Sequence, residues 1–139
     1  MSGKVLIVDG LATNRIVMKV KLSAAYYDVI PAGTAAEALA LAALESPDLV
    51  ICAPTMVDMS GPEFVRRLKK QQEGDAPPVL LFLCDHTLDL RLDALRAGAD
   101  EVMVKPVDDP ALLARLRSLL RQHQVTRDLR MHAGAVSAL

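Results

Sequence analysis

One acid and one base stand directly after short apolar runs of this sequence. Asp9 follows the run Val5–Val8, and Lys105 follows Val102–Val104. In an open parallel sheet, ligands bind beyond the carboxyl ends of the strands, so both side chains would lie at the edge where such sheets do their chemistry. A carboxylate and an ammonium at that edge could form a binding site, or they could only stabilise the strand ends.

A second group of side chains could bind a metal or act in redox chemistry. It consists of Cys52, Cys84, Asp85 and His86, which follow or end two further apolar runs. The spacing matches no zinc pattern. Lone cysteines at strand ends are mostly buried small apolar residues, so packing is the favoured interpretation.

The elements that must position these residues alternate between short β-branched runs and longer amphipathic segments. This alternation predicts five βα units around a parallel sheet, because runs that are apolar throughout are typical of strands covered on both faces. Tyr26 and Tyr27 are expected to pack at the entry to the second strand. The predicted strands are Val5–Val8, Tyr27–Ile30, Leu49–Cys52, Val79–Leu83 and Val102–Val104.

Start signals predict where the helices begin. Capping boxes, in which a hydroxyl and a carboxylate satisfy backbone N–H groups of the first turn, are predicted at Thr34 with Glu37 and at Ser60 with Glu63. The other predicted starts are Thr13 or Asn14, Thr87, and Asp109 with Pro110 at the first helical position, the last helix running to about Gln124 or beyond.

Length and charge limit the functions that remain. The 139 residues, with 16 bases and 17 acids, predict one domain at residues 1–125 and a helix extension or linker at 126–139, with His132–Leu139 frayed or starting a linker. Aromatic residues make up 3%, so Arg66, Arg67, Lys69 and Lys70 are interpreted as a solvated face and nucleic-acid binding is not expected. No apolar run approaches the roughly 20 residues of a membrane span, and the cysteine pattern is typical of a reduced, cytoplasmic protein.

The motifs as a set resemble the receiver domains of bacterial two-component response regulators. The segments VLIVD, SPDLVI, MSG, AGADEVMVKP and DDPALLARLRSLL stand in the order and spacing of that family, from about Lys4 to Gln124. Within it, KLSAAYYDV and KPVDDPALLARLRSLLR are similar to the first receiver of PleD-like diguanylate cyclases. The resemblance implies a doubly wound (βα)5, flavodoxin-like α/β fold with a parallel five-stranded sheet.

It also implies a five-part site: a nucleophilic aspartate, two acids that hold magnesium, a lysine and a hydroxyl that contacts the phosphoryl group. This chain keeps the first acid, Asp9, and the lysine, Lys105. The second acid position is Gly10, the nucleophile position is Ala53, the hydroxyl position is Leu83, and the usual aromatic of the switch is Val102.

These replacements predict that the usual phosphotransfer is lost, since the methyl group of Ala53 has no oxygen to attack phosphorus. Magnesium binding is expected to be weak or absent, because magnesium is normally held by one or two carboxylates plus phosphate oxygens. Leu83 is expected to make the mouth of the pocket more apolar. Asp9 and Lys105 are expected to form an ion pair or to be bridged by water, while Asp58 or Asp85 could substitute as a phosphoacceptor.

The predicted function is therefore a phosphorylation-independent interaction or dimerisation module of two-component signalling, without a chemical step of its own. Expected partners are another receiver, an output domain such as a diguanylate cyclase, or a histidine kinase. The alternative is a receiver regulated through another acceptor or a small ligand at the altered pocket. A homodimer could form through the fourth helix, fifth strand and fifth helix, where the candidate residues are Arg91, Arg96, Asp100, Arg115 and Arg117.

Overall fold

The computed structural model describes the backbone of residues 3–137 and the side chains of residues 3–131. Five parallel strands form one sheet in the order β2-β1-β3-β4-β5, which confirms the predicted fold. The elements, in chain order, are β1 (Lys4–Val8), α1 (Ala12–Ala24), β2 (Asp28–Ala32), α2 (Ala35–Glu45), β3 (Leu49–Cys52), α3 (Gly61–Gln71), β4 (Val79–Leu83), α4 (Leu88–Ala97), β5 (Glu101–Val104) and α5 (Asp109–Ser137). The strand order reverses between β1 and β3, so a ligand site is expected beyond their carboxyl ends.

Strand β2 begins and ends later than predicted. It runs through Pro31, which pairs with Ile7 of β1. Because β2 is an edge strand, a proline without an N–H group is tolerated there. Tyr27 is buried, as expected of a packing residue, but Tyr26 is 84% exposed and has a positive φ of 69°.

Alternate residues of each strand supply two separate cores. Leu6 and Val8 of β1 face one side, where α2, α3 and α4 cover the sheet. Val5 and Ile7 face the other side, where α1 and α5 contribute Leu22, Leu112, Leu116 and Leu119. The strands are therefore apolar on both faces, as their sequences predict.

The predicted helix caps are present in part. The hydroxyl oxygens of Thr34 and Ser60 accept hydrogen bonds from the N–H groups of Glu37 and Glu63 at 3.1 and 3.2 Å. The Glu63 carboxylate, however, bonds to Arg66 and Arg67 on its own helix, so this capping box is only half formed. Strong ion-pair partners one turn away compete successfully for the carboxylate.

At two further helices the cap differs from the prediction. Helix α5 is capped one residue earlier than expected, because Asp108 accepts from the N–H group of Ala111, while Asp109 lies inside the first turn. Helix α1 starts at Ala12, before Thr13, and its N-cap residue, Leu11, makes no side-chain capping hydrogen bond.

Helix α5 continues without a break to Ser137, well past Gln124, so residues 132–137 are helical and not frayed in the structure. Ala138 and Leu139, which belong to the segment predicted to be a frayed end or linker, lie outside the described residues. The boundary between residues 125 and 126 remains a prediction. None of the helices in the described part of the chain combines the length and the apolar character that a membrane span requires.

Candidate functional site

Three of the five candidate residues line one cleft at the carboxyl edge of the sheet, which we call the strand-end cleft. Asp9 follows β1, Ala53 follows β3 and Lys105 follows β5, and together with residues of α1 and α5 they enclose about 480 Å³. The parallel direction of the strands brings together residues that are almost one hundred positions apart in the chain. The sequence rule for open α/β sheets thus predicts the position of this cleft correctly.

The other two candidates lie outside the cleft lining. Gly10 is exposed beside Asp9, and a Cβ atom there would meet only the carbonyl oxygen of Gly33 at 3.9 Å. Leu83 is 4% exposed and packs within the buried cluster beneath α2, α3 and α4. It therefore adds to the core and does not make the mouth of the cleft more apolar, as the sequence had suggested; Phe82, its neighbour, lines the cleft instead. Val102, at the expected aromatic position, is buried in the same cluster as Leu83.

Asp9 stabilises the turn that leads into helix α1. One carboxylate oxygen accepts from the N–H group of Leu11, the residue before the helix, at 2.9 Å, and the other accepts from Nδ2 of Asn14 at 3.1 Å. Leu11, at the N-cap position, makes no side-chain capping hydrogen bond. The Asp9 carboxylate therefore fixes the entry to α1 through the N-cap residue and through one side chain of the first turn.

Lys105 lies over an aromatic ring. Its Nζ atom is 5.3 Å from the centroid of the Phe82 ring, a distance at which a cation is attracted to the ring face. The ion pairs formed by the described side chains do not include one between Asp9 and Lys105. The expected direct pair is therefore wrong, because Asp9 is engaged by α1; a bridging water remains a prediction.

The end of β3 is closely covered by the start of α3. The N–H group of Gly61 donates to the carbonyl oxygen of Pro54 at 2.9 Å. A Cβ atom at Gly61 would lie 2.6 Å from the carbonyl oxygen of Ala53, so only glycine allows this approach. The side chain of Ala53 is thereby held at the cleft with 6% of its surface exposed.

The two acids considered as substitute acceptors are hydrogen-bonded at or just before the start of a helix. The carboxylate of Asp58 accepts from the N–H groups of Ala35 and Ala36 at 3.0 and 2.9 Å, and these bonds hold the pKa of Asp58 below its ordinary value. The carboxylate of Asp85 accepts from Thr87 at 2.8 Å, and its hydrogen bonds to Thr87 lower its pKa. Neither acid lines the strand-end cleft.

The two cysteines lie in different surroundings. Cys52 is buried, its Sγ–H donates to the carbonyl oxygen of Ala53 at 3.1 Å, and burial together with the charge of Asp9 raises its pKa. Cys84 is exposed. Among residues whose side chains are described, no three His, Cys, Asp or Glu groups come together as metal ligands would.

The structure divides the five interface candidates. Arg91 and Arg115 line one shallow depression, where Arg115 pairs with Glu101 at 3.6 Å, and Arg96 is exposed on α4. Asp100 is instead bonded to Lys69 of α3 and to the N–H group of Val79. The remaining candidate, Arg117, lies at another cavity, beside Tyr27 and Asp48.

Sequence reasoning missed the apolar part of the α4 surface. Leu88 and Leu95 are 64% and 45% exposed. They are seven positions apart, so they lie on one side of α4, and that spacing was available as a signal. Their leucine side chains alone did not distinguish them from core residues.

Comparison with known proteins shows which sequences and folds this chain is similar to. Residues 5–117 match the response regulator receiver domain family. The chain is 36% identical over 130 residues to the response regulator PleD of Caulobacter vibrioides, covering 94% of this chain and 29% of PleD. It is 32% identical over 123 residues to the phosphate regulon transcriptional regulatory protein PhoB of Pseudomonas aeruginosa, covering 88% of this chain and 54% of PhoB.

A solved structure gives the same result for the fold. The chemotaxis protein CheY4 of Vibrio cholerae superposes with a TM-score of 0.79 at 29% identity, covering 86% of this chain and 99% of CheY4. The chain covers nearly all of the solved CheY4 chain, while it spans less than a third of PleD and about half of PhoB.

Proposed function

The chain belongs to the response regulator receiver domain family of two-component signalling, and we propose that it is a receiver that signals through protein contacts without being phosphorylated. The observation that supports this proposal is Ala53. It stands at the end of β3 on the edge shared with Asp9 and Lys105, where the family resemblance calls for the acceptor aspartate. An alanine side chain cannot form an acyl phosphate.

The surroundings of Ala53 support the same proposal. Both carboxylate oxygens of Asp9 already accept hydrogen bonds, one from Leu11 before α1 and one from Asn14 in α1. The neighbouring position is Gly10, so only one of the two acids that the family resemblance calls for at a magnesium site is present. Asp58 and Asp85 are bonded at the starts of α2 and α4. Use of Asp58 as an acceptor would leave two backbone N–H groups at the start of α2 without their partner, and use of Asp85 would remove the acceptor of the Thr87 N–H group in the turn before α4.

Partner binding gives such a domain a way to signal that needs no phosphorylation. Receiver domains interact with kinases and with output domains. PleD is more than three times as long as the segment that it shares with this chain, and PhoB is about twice as long. We propose that the surface of α4, β5 and α5 docks a second receiver or an output domain such as a diguanylate cyclase. Its exposed Leu88 and Leu95 supply apolar contact, and Arg91, Arg115 and Glu101 set the register.

Phosphorylation can be tested directly with a restored variant as the positive control. The wild type is incubated with magnesium and either acetyl phosphate or beryllofluoride, beside the double variant Gly10→Asp, Ala53→Asp. We expect no mass increase and no amide NMR shifts at Asp9 and Lys105 in the wild type, and a magnesium-dependent response in the variant. A stable adduct on the wild type would contradict the proposal.

Self-association is tested by sedimentation velocity. Arg115→Glu places two acids together at residues 101 and 115, and it should lower the dimer fraction if this surface pairs two copies. Arg121→Glu makes the same charge change on another side of α5 and serves as the control. Equal sedimentation of all three proteins as dimers would exclude this surface as the contact.

A further inference from the structure

The strand-end cleft has the size and lining of a small-molecule site. Its volume of about 480 Å³ lies within the range of roughly 300–1,000 Å³ that is usual for such sites. Its floor is the buried sheet residue Phe82, and its walls include Val17 and Met18 of α1 and Val107 and Leu112 before and on α5. A ligand that fills the cleft would therefore bury an apolar body between two helices.

The charges around this apolar space leave one cation available. Asp9 is engaged through both carboxylate oxygens, and Lys21 forms an ion pair with Asp109 at 3.0 Å. Lys105 has the Phe82 ring face beside its Nζ atom, and it contributes to none of the ion pairs found among the described side chains. An ammonium group at the mouth of an apolar cleft favours one anionic head group, since charge-assisted hydrogen bonds are stronger than neutral ones.

The ligand class follows from these two features together. The neighbouring carboxylate of Asp9 disfavours a doubly charged head such as a phosphate dianion, because like charges repel across so short a site. A free inorganic anion would leave the apolar walls in contact with water. We propose that the strand-end cleft binds a small amphipathic monocarboxylate, whose carboxylate contacts Lys105 and whose apolar body lies against Val17, Met18 and Leu112.

This proposal goes beyond the protein-docking function and does not depend on it, since the docking surface of α4, β5 and α5 uses other residues. The strand-end cleft would then act as a sensor site for a monocarboxylate with an apolar body. Binding there would join α1 to the first turns of α5 across the ligand.

The test is a titration of the full chain with decanoate below its critical micelle concentration, followed by calorimetry and amide NMR. We expect saturable one-to-one binding with shifts at Val17, Lys105 and Leu112. Lys105→Met keeps most of the length of the side chain but removes its charge, and it should weaken binding about tenfold or more. Lys70→Met, which removes an exposed lysine of α3 far from the cleft, should leave the affinity unchanged.

A second pair of variants tests the cleft independently of the charge. Val17→Phe fills the mouth of the cleft and should also weaken decanoate binding about tenfold, whereas Val20→Phe, one turn further along α1 and outside the cleft lining, should not. Absence of saturable binding overturns the proposal. Equal affinity for decanol also overturns it, because it would show that Lys105 does not contact a charged head group. Competition by inorganic phosphate alone overturns it as well, because it would show that the apolar body is not required.

Discussion

The two faces of the sheet are built from the same alternating strands but are covered in different ways. On the face of α2, α3 and α4, small residues such as Ala38, Ala42 and Ala94 are fully buried and let the helices approach the sheet closely. On the face of α1 and α5, α1 contributes a single fully buried side chain, Leu22, and leaves the strand-end cleft beside it.

The difference shows how one fold separates packing from binding. A close-packed face loses dispersion contacts and creates a cavity whenever a side chain is shortened. A face that already contains a cleft has neighbours missing on one side, so its side chains contribute less to stability and can contact a ligand. The predictions below test this contrast in order of decreasing effect.

The largest effect is expected from one substitution made on both faces. Leu68→Ala on α3 should lower the free energy of unfolding by about 4 kcal/mol, and Leu112→Ala on α5 by about 2 kcal/mol, because Leu112 already borders the cleft. Urea denaturation of both variants measures the two costs. Equal costs would show that the cleft face is packed as tightly as the other.

The next effect concerns the two glycines near the carboxyl edge. Gly61→Ala should destabilise the fold by about 1–3 kcal/mol, since its Cβ atom would meet the carbonyl oxygen of Ala53 at 2.6 Å and the backbone must shift. Gly10→Ala, with its nearest atom at 3.9 Å, should be close to neutral. Thermal denaturation distinguishes them, and a neutral Gly61→Ala would mean that the loop before α3 moves freely.

A smaller, pH-dependent effect is expected at Asp58, which joins the loop after β3 to the start of α2. Its pKa lies below the ordinary value of 3.8 in the folded chain, so its stabilising contribution is complete above about pH 4 and is lost as the pH falls through the lowered folded value. Asp58→Asn should lower the melting temperature at pH 7, and the difference from wild type should shrink below pH 4. Asp28→Asn, which removes the charge of an exposed acid of β2, is the matched control and should leave the melting temperature at pH 7 close to that of the wild type.

The smallest effect on stability is expected from alkylation. Iodoacetamide should label Cys84, which is exposed, and leave Cys52 unreacted, because burial and the charge of Asp9 raise the pKa of the Cys52 thiol. Peptide mass spectrometry of the native protein identifies the labelled residue, and the melting temperature should stay unchanged. Rapid labelling of Cys52 would indicate that the face of α2, α3 and α4 opens readily.

The fold was predictable because its signals are local and agree with one another. The apolar runs at Leu49–Cys52 and Val79–Leu83 have the observed strand bounds, and Gly98 ends α4 in the left-handed conformation as expected of a helix stop. Strand β2 was misplaced because its tolerance of Pro31 depends on its being at the edge, a fact about the whole sheet.

The site was predictable in position but not in detail. The carboxyl-edge rule brought Asp9, Ala53 and Lys105 together, yet it could not show that Asp9 would bond to Leu11 and Asn14 and leave Lys105 over Phe82. The cap formed by Asp58 joins residues more than twenty positions apart and has no local signal. The cleft itself depends on how far α1 stands from α5, which no spacing in the sequence records.

Helix α5 connects the strand-end cleft to a distant part of the molecule. Leu112, in the first turns of the helix, lines the cleft, and the helix continues to Ser137, about 38 Å further at the usual rise per residue. A tilt of the helix by only about 5° at Leu112 would move its far end by roughly 3 Å. The ion pairs of Arg127 with Asp48 and of Arg130 with Asp75, at 3.9 and 3.7 Å, are the exposed tethers that such a motion must stretch.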